Sequence, residues 1–102
     1  MSYNLYFQER KSRVVSDDPY AWGIPTLIKA RKFAIGSLGS SRRVMVAIYY
    51  KDGAGMEIYK GSIKYEGDGY FYYPYSGKKW RMNEDGTIRK LKKAKKPAPF
   101  GL

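Results

Sequence analysis

The chain has 102 residues, 43% of them apolar, with 20 Lys and Arg against nine Asp and Glu and neither His nor Cys. A net charge of +11 favours polyanionic partners, either nucleic acid or an acidic protein or membrane surface. The missing His and Cys remove the commonest catalytic bases, metal ligands and soft nucleophiles, and no run of about 18 apolar residues marks a membrane span.

A chain of this length is expected to form one domain, residues 1–92, able to bury a core without metal or disulfide staples. Its N-terminus lacks the apolar stretch of a secretory signal, so the expected location is intracellular: cytoplasmic, or nuclear in a cell that has a nucleus. Residues 3–8 alternate, with Tyr3, Leu5 and Phe7 on one side and Asn4, Tyr6 and Gln8 on the other, the pattern of a half-buried strand. Residues 9–23 read as irregular, with Asp17–Asp18–Pro19 marking a turn. A short helix is expected from Thr26, its cap, with Leu27, Ile28, Ala34 and Ile35 on one face and Gly36 as its stop. Residues 36–41 then read as a flexible connector.

From Arg42 the pattern is β. Val44, Val46, Ile48 and Tyr50 alternate with Met45, Ala47 and Tyr49, so both faces are apolar and the strand is expected to be central. Residues 51–55 turn into a return strand from Met56 to Tyr65. Within it Met56 and Ile58 fall out of phase with Ile63 and Tyr65, and one inserted residue near Gly61 restores the phase, which predicts a β-bulge or sharp bend there. Gly67–Asp68–Gly69 turns into Tyr70–Tyr75, where Pro74 marks an edge or an end, and Ser76–Gly77 turns into Lys79–Met82. Asn83–Glu84–Asp85–Gly86 reads as a hairpin loop leading to Ile88. The expected fold is mainly β, or α+β if the helix is counted: an antiparallel meander of five to six strands curled into a barrel or half-barrel, with at most one short helix. From Lys78 onward nine Lys or Arg face only Glu84 and Asp85, and residues 93–102 read as a flexible basic tail containing Pro.

Function is expected where rings and cations meet. Residues 70–75 place aromatics on both faces of one strand, beside Lys78, Lys79 and Arg81. A strand needs only one apolar face to reach a core, so the other rings are left over for stacking. Phe71, Tyr73 and Tyr75 are expected to face the core, and Tyr59 and Tyr65 on the preceding strand to extend the ring surface. The candidate stacking residues are Tyr70, Tyr72, Tyr73 and Trp80, the last of which is equally suited to anchor the core. Arg42, Arg43, Lys78, Lys79, Arg81, Arg89, Lys90, Lys92 and Lys93 are the candidate phosphate contacts. With no reading helix and no zinc-ligand spacing, base-specific readout of the major groove is not expected.

Catalysis is not expected either, nor any cofactor or metal. Asp52, Glu57, Glu66 and Asp68 sit at or beside turns, where acidic residues are ordinary. Ile48–Tyr49–Tyr50 followed by Ile58–Tyr59–Lys60–Gly61 resembles the two signature strands of the GIY-YIG nucleases. That family then requires a helix bearing Arg and a later metal-binding Glu, whereas another hairpin follows here. The reading is a non-enzymatic protein that binds DNA or RNA through backbone phosphates with little sequence specificity. The alternative is a small inhibitor or adaptor, of the kind phages direct against host systems, which covers an acidic or nucleic-acid-binding surface of a larger protein. An integral membrane protein is not expected.

Overall fold

The apolar alternations condense into one antiparallel sheet with a helix lying across one face. In the computed structural model, which describes residues 1–9, 15–75 and 77–89, strands and helix follow in a simple order. They are β1 (Ser2–Glu9), β2 (Ala21–Ile24), α1 (Leu27–Leu38), β3 (Val44–Lys51), β4 (Glu57–Tyr65), β5 (Tyr70–Pro74), β6 (Trp80–Met82) and β7 (Ile88–Arg89). Across the sheet the order is β2-β1-β3-β4-β5-β6-β7. The sheet is not closed; β2 and β7 are its edges, and the architecture is a mainly β half-barrel.

Strands β3 to β7 are the five-stranded meander read from the sequence. The total is corrected to seven, because Ala21–Ile24, which begins inside the stretch read as irregular and ends one residue beyond it, adds a strand to β1. Its register breaks between Tyr3 and Leu5, and Gly23 takes φ 72° while its N–H donates to Asn4 Oδ1 at 3.3 Å. A break of this kind erases the alternation by which strands are recognised.

The helix begins as expected, with Thr26 Oγ1 accepting from the Lys29 N–H at 3.1 Å. Its end is corrected: Gly36 lies inside the helix, and Gly39, at φ 56°, terminates it by donating to Ile35 O at 3.1 Å. Ala30, Arg31, Ala34, Ile35 and Leu38 turn toward the sheet, whereas Ile28 is exposed rather than on the buried face. The small Ala30 and Ala34 let the helix approach closely over Leu5, Val46, Ile48 and Ile63, which have no exposed surface. Residues Met45 to Ile48 of β3 are buried on both faces, as a central strand requires.

The predicted irregularity in β4 is a β-bulge. Ile48 pairs with Gly61 but Tyr49 pairs with Tyr59, so Lys60 is the extra residue. Gly61 has φ 155°, and a Cβ there would lie 2.7 Å from Tyr73 O and 2.8 Å from the Tyr72 ring. The glycine is therefore a notch that seats Tyr72, whose hydroxyl donates to Lys60 O at 3.0 Å. The loop at Asn83 closes as expected, with Gly86 N–H donating to Asn83 O at 3.0 Å and Asn83 N–H to Thr87 O at 2.8 Å. The tail expected from residue 93 lies outside the described residues, as do Lys90, Lys92 and Lys93. Among the described residues no helix is long and apolar enough to cross a membrane.

Candidate nucleic-acid interface

Side chains alternate between the two faces of a pleated sheet, and partners across strands share a face. The registers therefore place Tyr6, Tyr49, Tyr59, Ser62, Lys64, Phe71, Tyr73, Arg81 and Arg89 on the face opposite α1. Two groups stand there side by side. One is a row of rings running across the sheet, Tyr6–Tyr49–Tyr59–Tyr75, with successive centroids 5.2, 5.4 and 6.0 Å apart. The other is a cluster of cations over rings. Lys64 Nζ lies 4.5 Å from the Tyr73 centroid, and Lys79 Nζ lies 4.7 Å from that of Phe71 and 5.9 Å from that of Tyr73. The Arg81 guanidinium lies 4.7 Å from the Phe71 centroid.

Ser62 joins the groups. It pairs with Tyr73 across the strands, its Oγ lies 2.6 Å from the Tyr59 hydroxyl, and it donates to Gln8 Oε1 at 3.4 Å. The acids of this face are engaged: Glu57 accepts from the Tyr6 hydroxyl at 2.7 Å, Glu66 from the Tyr73 hydroxyl at 2.5 Å, and Asp68 pairs with Arg81 at 3.3 Å. Burial, followed by the bond to Glu57 and its charge, pushes the Tyr6 pKa up to about 12. Burial, with Tyr59 and Glu57 nearby, also raises that of Tyr49. Both phenols stay neutral near pH 7 and add no negative charge to the face. At one end of the row, Gln8, Val15, Tyr49, Tyr59 and Tyr75 line a cavity of about 450 Å³.

Of the residues expected to bind, Tyr73, Lys79 and Arg81 come together here, with Arg89 paired to Arg81 across β6 and β7. The expected orientation of β5 is reversed: Phe71, Tyr73 and Tyr75 stand on the face away from α1, and Tyr70 and Tyr72 are turned toward it. The Gly61 notch takes the Tyr72 ring, which is 5% exposed, and the Tyr70 hydroxyl donates to Gly39 O at 2.5 Å. Trp80 pairs with Tyr72 on that side and packs against the core half-buried. Tyr65 also lies there, its ring 5.2 Å from Tyr70, because the extra residue Lys60 shifts it to the face opposite Tyr59. Lys78 is exposed before β6; Arg42 and Arg43 are exposed before β3, with Arg42 reaching over Gly67 rather than joining the cluster. Lys64, Tyr6 and Tyr49 were not among the expected contacts. The signal for Lys64 is its place next to the core residue Ile63, which sends it to the other face. No family model matches the chain, and comparisons with curated proteins and with solved structures found no match.

Proposed function

We propose that this is a non-enzymatic nucleic-acid-binding protein that holds backbone phosphates on the sheet face opposite α1, with little sequence preference. The observation that carries the reading is the set Lys64, Lys79 and Arg81 standing over Phe71 and Tyr73. A ring orients an ammonium through its quadrupole, an attraction of about 0.5–1 kcal/mol at exposed sites. It neutralises nothing, so the outward sides of Lys64 and Lys79 still attract a phosphate, whereas Arg81 shares its charge with Asp68 at 3.3 Å. Each phosphate bound releases counterions, which makes affinity fall with salt, while phosphate contacts carry no sequence information.

Titration of labelled single-stranded and duplex oligonucleotides across a salt series tests the proposal. Binding should be in the micromolar range and weaken steeply with salt. Lys64→Ala combined with Lys79→Ala should reduce the slope of log K against log salt by about 1.5, roughly two phosphate contacts. An unchanged slope would remove these lysines from the interface. Silence on every oligonucleotide at low salt would overturn the reading and leave the face to an acidic protein surface.

A further inference from the structure

We infer that the cavity lined by Gln8, Val15, Tyr49, Tyr59 and Tyr75 is a slot for one unstacked nucleobase, so that the protein takes single strands in preference to duplex. The inference rests on the nucleic-acid reading above and adds which form of nucleic acid is bound. The cavity measures about 450 Å³ and opens on the same sheet face as the cations. That size falls within the ordinary range of small-molecule sites.

Three of its five lining residues are rings. Tyr75 stands edge-on to Tyr59, centroids 6.0 Å apart and planes at 87°, and Tyr49 lies 5.4 Å from Tyr59 at 56°. Tyr75 is 76% exposed, an unusual exposure for a ring that a sheet could pack. It follows directly on β5 and is fixed there by its N–H, which donates to Lys60 O at 3.1 Å. A planar group entering beside it would cover a surface now in water. Two of the lining residues carry polar groups: the Tyr59 hydroxyl lies 2.6 Å from the adjoining Ser62 Oγ, and Gln8 Oε1 accepts from Ser62 at 3.4 Å. Ring faces interleaved with fixed donors and acceptors suit a heteroaromatic base better than an aliphatic side chain, which would strip those groups of water without replacing it.

Charge then identifies the ligand as a nucleotide rather than any flat molecule. Tyr73 is two residues before Tyr75 on the same face, about 7 Å along the strand, and Lys64 and Lys79 sit over it. A base in the slot would carry its own phosphates toward those two ammonium groups. Bases inside a duplex are stacked and paired, so they cannot enter without being extruded.

The experiment compares three probes on the full chain at one salt concentration: a short oligothymidine strand, an abasic strand of equal length, and the duplex of the first with its complement. The intact strand should bind about tenfold more tightly than the other two, the gain expected from stacking one base. Tyr75→Ala, a change at an exposed ring, should abolish most of that margin and leave abasic-strand binding as it was. Equal binding of all three probes, with the salt dependence retained, would overturn the slot while the phosphate reading stands. So would a Tyr75→Ala variant that weakens intact and abasic strands alike. Failure of every probe to bind would remove both.

Discussion

Tyr6 has the clearest link between one contact and a measurable response of the whole protein. Its hydroxyl donates to Glu57 Oε1 at 2.7 Å, and burial together with that carboxylate pushes the phenol pKa up to about 12. An unfolded chain releases this proton near pH ~10. Between those values the folded state binds more protons than the unfolded one, so stability must fall as pH rises through the window. Below it the contribution is fully present. Tyr6→Phe removes the titrating group and should flatten the fall, while costing about 1 kcal/mol near neutral pH for the lost hydrogen bond. Burial raises Tyr20, Tyr49, Tyr70 and Tyr72 in the same direction, so the variant should keep a shallower slope rather than none. Urea unfolding midpoints measured from about pH 8 to about pH 11 read the difference, and parallel curves for the two proteins would contradict it.

Among the elements, β4 decides most, because one extra residue changes which rings meet the helix and which meet solvent. Gly61 permits this by seating Tyr72, and its φ of 155° is unfavourable for any side chain. Gly61→Ala would bring a methyl group to 2.7 Å from Tyr73 O and 2.8 Å from the Tyr72 ring. The loss should be on the order of 2–4 kcal/mol in denaturant unfolding, and a loss below that of an ordinary surface substitution would refute the notch. The meander itself was legible because its turns carry Gly, Asp and Asn between alternating apolar runs, and the phase slip at Gly61 announced the bulge. Strand β2 was not legible, since four residues with Gly23 at positive φ show no alternation. The helix outran Gly36 because an exposed glycine costs only about 1 kcal/mol, less than the burial of Leu38 beyond it returns. The faces of β5 were hidden for a different reason: both carry rings, and only a neighbour on another strand selects between them. Lys79 and Arg81 could be read as partners of those rings from their nearness in sequence. For Lys64 the place next to Ile63 gives the face but not the partner, because its pairing with Phe71 exists only once β4 and β5 are in register.

On the scale of the molecule, the sheet curls until the β6–β7 turn meets α1, and Arg31 fastens the two. Its side chain is 6% exposed, Nε donates to Gly86 O at 2.7 Å, and its guanidinium lies 5.3 Å from the Tyr72 centroid. A Cβ on Gly86 would stand 2.5 Å from Ile28 O, so the turn rests directly on the helix backbone. Burial lowers the Arg31 pKa from its usual value, yet guanidinium basicity keeps it charged near pH 7, and the carbonyl and the ring face supply the compensation it needs. Strands β6 and β7 have only three and two residues, so their own ladder holds them weakly and the contact with α1 must do the rest. Arg31→Met keeps an apolar side chain of similar length but removes the donor. In that variant the amides of β6 and β7 should lose hydrogen-exchange protection by about tenfold or more, the equivalent of one lost charged hydrogen bond, while β1, β3 and β4 keep theirs. Arg81 and Arg89 ride on this hairpin, and Lys79 enters it, so oligonucleotide affinity should fall several-fold although Arg31 lies on the opposite side of the sheet. Uniform loss of protection across all strands would mean that Arg31 stabilises the domain as one unit and that the hairpin has no separate freedom for it to restrain.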